Sequence, residues 1–311
     1  RRGGVNPDMT HQVEAWEVAR AGDLVALVEA ALPGEELSED ELVACCWEDP
    51  EPGTPAGADA PVGAVLGLAD GTGAVAVVWR PADDPGGRPG AYVKLIAVHP
   101  DARRAGRGHA LAAAAEAWAW DHGAPELRWE GSPPFYLWPG VDAAALPARC
   151  LAESRGYEVT GSALNLRLPV DFRSPAPEGL VLRRVVRDED VAAIEAFVAE
   201  RWPEWLPELR RVIEHWCCHG VYLAEPADRA PAAVGFACHS VNRAGWLGPM
   251  GTDAGRRGSG IGRALLGAVC RDLMVAEFAD AEICWAGPLR FYAKAGATMS
   301  RTFVTYRLAR P

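Results

Sequence analysis

The chain has 311 residues, which at roughly 100 to 200 residues per domain divides better into two ordinary domains than one large one. Hydrophobic residues make up 49% and charged residues 23%, a balance that supplies buried cores and argues against wholesale disorder. The formal net charge of -11 has the wrong sign for nucleic-acid backbones or anionic lipid and suits a cationic small molecule better.

Along the first half, apolar alternation and turn residues predict a strand over 13–18, a helix capped by Asp23 and a second helix begun by Ser38. The acidic run Glu39-Asp40-Glu41 suits the positive end of that second helix. Strands over 62–68 and 74–80 flank Ala69-Asp70-Gly71-Thr72-Gly73, a loop whose glycines permit positive φ. A strand over 91–98, a glycine-led helix over 108–122, a strand over 126–130, a helix near 147–154 and closing strands from 157 to 168 complete this half. Pro169, Pro175 and Pro177 then predict a stiff, extended connection, which places the boundary at 174/175 and gives domains 1–174 and 175–311.

The second half repeats the order: a strand over 180–186, helices within 188–218, strands over 221–224, 233–240 and 245–252, a glycine-led helix over 260–278, a strand over 281–285, a helix over 288–295 and strands from 298 to 308. Arg103, Gly106 and Gly108 recur as Arg257, Gly260 and Gly262, at a constant offset of 154 residues and in the same strand-to-helix setting. Each half is therefore expected to be one copy of an α+β unit with a partly parallel sheet.

No stretch approaches the roughly 20 apolar residues that span a bilayer, and Arg1 to Thr10 lacks the apolar run of a signal peptide, so the expected compartment is the cytoplasm. Eight cysteines fit neither a disulfide scaffold nor a Cys-x-x-Cys zinc site and read as reduced, mostly buried thiols.

A strand that turns sharply into a helix presents unpaired N–H groups at the positive end of the helix dipole, which makes an anion site. In the second copy Gly258, Gly260 and Gly262 leave the backbone bare between Arg257 and Arg263, so a diphosphate can accept several N–H bonds beside neutralising guanidinium groups. A glycine turn serving only tight packing is the alternative, and two copies weaken it. The dinucleotide fingerprint fails, because Leu111 and Leu265 stand where its third glycine belongs. A nucleoside-triphosphate loop fails too: the only lysines, Lys94 and Lys294, do not follow glycine.

At these residues the chain resembles the GNAT superfamily of N-acetyltransferases, whose Arg/Gln-x-x-Gly-x-Gly/Ala signature follows the fourth strand; both copies match it. The resemblance implies two tandem GNAT-like domains, each a mixed, partly parallel central sheet flanked by helices. It implies that Arg103, Arg104, Gly106, Arg107 and Gly108 in one loop, and Arg257, Gly258, Ser259, Gly260, Ile261, Gly262 and Arg263 in the other, hold the diphosphate of acetyl-CoA. Ile96 and Val98, and Met250, Gly251 and Thr252, would run beside the pantetheine arm. No metal is expected. Residues 132–142 and 247–252 look like segments of bacterial tandem-domain acetyltransferases, some of which act on glucosamine and related amino sugars.

Acetyl transfer from a thioester to an amine needs a neutral amine, a stabilised oxyanion and a proton for the departing thiolate. The resemblance gives Tyr292 the last role, with a core tyrosine as the alternative, and gives amides near Met250 and Gly251 the oxyanion. For the base, Glu282 at the start of the fifth strand comes first, Glu225 and His239 are substitutes, and water alone is a further option. His215 and His219 stand at i and i+4 of an expected helix, a spacing metals use, but no third ligand is evident and packing or substrate contact is the reading. Trp202 and Trp205 fall where the resemblance places the acceptor pocket; indole faces suit sugar C–H surfaces or an ammonium, and core packing is the alternative.

Aligning Gly156 with Gly296 puts Ala152 where Tyr292 stands, so the first copy lacks the acid. That half then binds acetyl-CoA without turnover, lends surface to the second site, or uses Tyr157 or Tyr136. The expected activity is acetylation of a primary amine on a small molecule by the second half, with an amino sugar the leading acceptor. The rivals are a protein or peptide N-acetyltransferase and a non-catalytic CoA-binding regulatory module. No nucleic-acid or membrane partner is expected.

Overall fold

The computed structural model describes residues 12–49, 62–81, 90–223 and 231–311. They form two compact units, Arg1–Ser162 with Phe303–Pro311, and Ala163–Thr302. The first unit holds β1 (Val13–Ala15), α1 (Ala21–Ala31), α2 (Glu39–Cys46), β2 (Val62–Leu68), β3 (Gly73–Arg80), β4 (Gly90–Val98), α3 (Arg107–Asp121), β5 (Glu126–Trp129), the short β6 (Val141–Asp142), α4 (Leu146–Ser154) and the start of β7 (Glu158–Pro169). The second holds the rest of β7, then β8 (Leu180–Arg184), α5 (Asp188–Arg201), α6 (Leu206–Ile213), β9 (Cys218–Leu223), β10 (Ala233–His239), β11 (Trp246–Thr252), α7 (Ile261–Val275), β12 (Asp280–Ile283), α8 (Leu289–Ala293) and the start of β13 (Thr298–Ala309).

In the first unit the strands run in the order β1-β2-β3-β4-β5-β13, and in the second β8-β9-β10-β11-β12-β7. Each sheet is antiparallel except at one ladder, β4 with β5 and β11 with β12. This is the mixed, partly parallel α+β architecture expected for each half. The division of the chain differs from 174/175. Residues of β7 pair with β12 (Leu168 opposite Ala281), and the far end of β13 pairs with β5 (Leu308 opposite Leu127), so backbone hydrogen bonding assigns 163–174 to the second unit and 303–311 to the first.

Local chemistry explains the elements that frame the site. Ser38 caps α2 in a capping box: its hydroxyl accepts from the Glu41 amide at 3.2 Å, and the Glu41 carboxylate accepts from the Ser38 amide at 2.8 Å. On α7, Ile261, Ala264, Leu265, Ala268, Val269 and Leu273 are buried at helical spacing. Their counterparts on α3 are Leu111, Ala112, Ala115 and Ala119, small enough for the helix to lie close on its sheet. Among the described residues no helix is long and apolar enough to cross a membrane, and none of the eight cysteines forms a disulfide.

One expectation is corrected. The helical run within 188–218 stops at Ile213, and Trp216 takes a positive φ of 59°, so the chain turns before His219 enters β9. His215 and His219 therefore share no helical face. The physical reason is tertiary: with Cys218, Val221 and Tyr222, His219 makes a buried strand, which pairing with β8 and β10 favours over helix.

A charged cluster lies inside the first unit. Asp49 accepts from Arg80 at 2.5 Å and from Lys94, and all three side chains are buried. Lys94 sits where the register of β4 against β3 slips, a bulge that re-aims a side chain. Removing Asp49 leaves two cations without their shared counter-charge in a dry interior. We expect Asp49→Ala to cost about 3–5 kcal/mol, read as a lower urea midpoint for the first unit by circular dichroism.

Candidate active site

Both parallel ladders are short. Trp246 and Leu247 pair with Glu282 and Ile283, and beyond Leu247 β11 pairs only with β10, Met250 opposite Ala237, Gly251 opposite Phe236 and Thr252 opposite Gly235. In the first unit β4 pairs with β5 only at Ala91 and Tyr92; Ile96 and Val98 lie beyond that point and face Val75 and Gly73 of β3. The two central strands thus diverge toward their C-terminal ends, leaving main-chain groups on one edge without a neighbouring strand.

The diverging strand leads straight to an uncapped helix. Gly260 precedes α7 at φ 93° and Gly106 precedes α3 at φ 83°, in the left-handed region that favours glycine, and neither helix has a side-chain cap. The amides of Gly258, Gly260, Ile261 and Gly262 make no hydrogen bond among the described residues, and the first-turn amides of Arg107 and Gly108 are likewise open. A Cβ at Gly258 would meet nothing within 4 Å, so this cradle opens to solvent. Several converging donors at a helix N-terminus fit a diphosphate.

The arginines divide differently from expectation. Arg103 donates to the Val98 carbonyl at 3.1 Å and the Ala31 carbonyl at 2.7 Å, tying the loop to β4 and α1. Arg107 is bound to Thr72 Oγ1 and Asp70, each at 2.9 Å. Arg263 donates to the Lys294 carbonyl at 3.3 Å and lies over the Phe172 ring. These three guanidinium groups are structural struts; the amides of Arg107 and Arg263 remain open to a ligand, while that of Arg103 donates to the Pro100 carbonyl at 3.2 Å. The side chains of Arg104 and Arg257 are exposed and bond to no described residue; Ser259 donates its hydroxyl to the Arg256 carbonyl at 2.6 Å.

Helix α8 docks on the first turn of α7: a Cβ at Gly262 would lie 3.3 Å from the Phe291 ring and 3.8 Å from Thr252 Oγ1. Tyr292 follows, its ring in the core with Ile261 and Leu265. Its hydroxyl has no hydrogen-bond partner among the described residues, and burial pushes the phenol up to about 12. It therefore stays protonated at neutral pH.

Glu282 points away from α7, because its strand neighbours Ala281 and Ile283 face the core under that helix. The same face carries Trp202 and Trp205, stacked with centroids 5.3 Å apart and packed on Phe236. Trp202 lies so close to Gly251 that a Cβ there would meet its ring at 2.6 Å. Both indoles are half-buried and keep open surface. His239 faces the opposite side of the sheet: its Nε2 lies 3.2 Å from Asp272 on α7, which also holds His219 at 2.8 Å and Arg184 at 2.6 Å. Glu225 lies outside the described residues.

Residues 23–136 match the acetyltransferase (GNAT) family model. Among solved structures, the chain is similar to a GCN5-related glucosamine N-acetyltransferase region of a fungal multi-domain GH3 β-N-acetylglucosaminidase, at TM-score 0.72 and 16% identity over 96% of this chain and 38% of that one. It spans well under half of that relative. A GCN5-related N-acetyltransferase from Sphaerobacter thermophilus matches at TM-score 0.64 and 23% identity over 96% of each chain. A tandem GNAT protein from the clavulanic acid biosynthesis pathway matches at TM-score 0.68 and 17% identity over 96% of this chain and 99% of that one. No curated protein matches the sequence. The chain has the tandem GNAT fold.

The two GNAT units can be compared position by position. The rung Tyr92–Arg128 stands at the same 154-residue offset from Trp246–Glu282 as Arg103 from Arg257, so a cation bound to Glu126 occupies the first unit's counterpart of Glu282. Leu151 packs on Gly108 as Phe291 packs on Gly262, which puts Ala152 in the place of Tyr292. Tyr157 is a core residue, its ring 5.2 Å from that of Trp129 and its phenol pushed far up by burial. Sequence reasoning missed Arg128, for which the repeat offset was the available signal, and Asn165, which donates to Glu282 Oε1 at 2.6 Å across 117 residues of chain and left no local signal.

For Asp272, burial alone would raise the carboxyl, but hydrogen bonds from His219 and His239 and the charge of Arg184 hold it well below the usual carboxylate range. A depressed folded-state pKa stabilises fully above the unfolded value of about 4 and loses that stabilisation as pH falls toward the folded one. We expect Asp272→Asn to lower the urea midpoint at pH 7 and the gap from the native protein to close below about pH 4.

Proposed function

We propose that this protein is an acetyl-CoA-dependent N-acetyltransferase whose second unit acetylates a primary amine on a small molecule, with an amino sugar the leading acceptor. The observation that carries the reading is a difference between two like units. The second has an unpartnered phenol on the helix docked against the open cradle and a carboxylate at the last rungs of the parallel ladder, whereas the first has Ala152 and Arg128 in those places. The first unit keeps its cradle, which favours a CoA-binding role without turnover for that half.

In this mechanism the open amides of Gly258, Gly260, Ile261, Gly262 and Arg263 and the exposed Arg257 hold the diphosphate, and Met250, Gly251 and Thr252 present main-chain groups along the pantetheine arm. Acetyl-CoA supplies the activated acyl carbon. Glu282 takes a proton from the substrate ammonium, so that the amine lone pair can attack that carbon. Main-chain N–H groups near Met250 and Gly251 stabilise the charge on its oxygen as the C–N bond forms. The C–S bond then breaks, the Tyr292 hydroxyl gives its proton to the sulfur, which leaves as the free thiol, and the extra proton on the new amide nitrogen returns through solvent to restore the Tyr292 phenol. A phenol raised to about 12 is a weak acid in water, yet a thiolate leaving inside the same apolar setting is a strong proton acceptor. Trp202 and Trp205 offer flat apolar faces to the C–H surface of a sugar ring. The likeness to a glucosamine N-acetyltransferase region supports that acceptor class, and the net charge of -11 favours approach of a cation.

The test is thiol release from acetyl-CoA with glucosamine, polyamines, aminoglycosides, amino acids and peptides as acceptors. We expect turnover with an amino sugar, and Tyr292→Phe to lower kcat about 100-fold or more while calorimetric affinity for acetyl-CoA stays within about twofold. Equal rates for the two proteins would remove Tyr292 from the mechanism. No calorimetric heat with acetyl-CoA or CoA would remove the acyltransferase reading itself.

A further inference from the structure

We infer that Asn165 is a positioning residue for Glu282: its buried amide fixes one carboxylate oxygen and the following turn, and leaves the other oxygen to take the proton of the amine. The inference rests on the role proposed for Glu282 and goes beyond it, because Asn165 belongs to a strand that precedes the proline run.

Asn165 is 0% exposed. An uncharged amide in such a place is costly unless both its ends are satisfied. Both are: Nδ2 donates to Glu282 Oε1 at 2.6 Å, and Oδ1 accepts from the Trp285 amide at 3.0 Å. Trp285 takes a positive φ of 50°, a conformation unfavourable for an indole side chain, and the bond from Asn165 holds its amide there. The next amide, that of Ala286, donates to the Leu164 main-chain carbonyl at 2.8 Å. One side chain thus joins the carboxylate on β12 to the turn that leads into α8 and Tyr292.

The rest of the surroundings leaves the second oxygen available. Arg167 stands directly across the ladder from Glu282, but its guanidinium lies 3.4 Å from Asp280. From β11, the Trp246 ring faces the same side with Arg243 stacked 5.1 Å from its centroid. Glu282 is half-buried, and its Oε2 has no partner among the described residues. A carboxylate anchored through one oxygen keeps its direction while the other accepts, which is the geometry a general base needs.

The experiment uses the full chain. Asn165→Asp keeps an acceptor for the Trp285 amide and replaces the donor facing Glu282 with a like charge. We expect its acetyl-CoA affinity to stay near that of the native protein, its thermal midpoint to fall because a second carboxyl enters a buried site, and the acid limb of its kcat/KM profile to move up by about one pH unit or more. Asn165→Ala should lower kcat/KM about 10-fold or more in the native background and less than about twofold in Glu282→Gln, since a residue acting through Glu282 has nothing left to position there. In the unaltered protein, the Asn165 side-chain amide resonances should titrate with the midpoint of that acid limb, a readout that needs no variant to fold. Equal losses in both backgrounds, an acid limb that stays in place, or flat amide resonances would overturn the inference. Absence of turnover in the native protein would instead overturn the function proposed for the site.

Discussion

The site depends on where the central backbone hydrogen bonds stop. A strand inside a sheet satisfies its amides and carbonyls on both sides, and strands that part leave one row without partners. In the second unit this happens after Leu247 and Ile283, and in the first after Tyr92 and Arg128. Register slips at Lys94 in β4 and between Met250 and Leu247 in β11 accompany the divergence, consistent with the bend a bulge imposes. Everything assigned to ligand binding lies on or beside that row: the ends of β4 and β11, and the uncapped helices that follow them.

A shared backbone with different side chains lets the two units inform each other. Duplication kept the strand, the turn and the positive-φ glycines, which are requirements of geometry. It did not keep the chemistry at the ladder's last rungs or on the docking helix. Two of the first loop's arginines are drawn into the scaffold, Arg103 onto main-chain carbonyls and Arg107 onto Asp70 and Thr72, while Arg257, which stands where Arg103 does, stays exposed. A guanidinium bonded to two carbonyls has little to offer a phosphate without first breaking those bonds. Each cradle therefore keeps its main-chain donors and one exposed guanidinium, that of Arg104 in the first and of Arg257 in the second.

What could be read from the sequence was what the backbone itself requires. Glycines at 106 and 260, the capping residues of α2 and the turn-rich loop between the apolar runs of β2 and β3 each act within a few neighbours, and each is visible locally. The end of α6 was not, because Cys218 to Leu223 are strand through pairing with distant segments rather than through propensity. Nor was the fate of His239, which points to a helical carboxylate 33 residues away. Asn165 was least legible: its partner is 117 residues distant and its strand lies before the proline run taken as the boundary. Side chains that act through tertiary contact leave no periodic trace, so a general base can be guessed from its place on a strand while the group that orients it cannot.

The helix ends provide the strongest internal control. Helix α2 closes its donors with Ser38 and Glu41, a reciprocal arrangement whose cap alone is typically worth about 1 kcal/mol. The same chain leaves α3 and α7 with glycine at that position, no side-chain acceptor and a left-handed backbone. Packing needs do not demand this at α7, since a Cβ at Gly260 would meet only Pro177 Cγ at 3.5 Å, an ordinary contact distance. A serine or aspartate cap would satisfy the helix and at the same time occupy the amides that a diphosphate must reach. Forgoing that cap at both copies makes sense where an external anion supplies the acceptors, and it is hard to explain where none does.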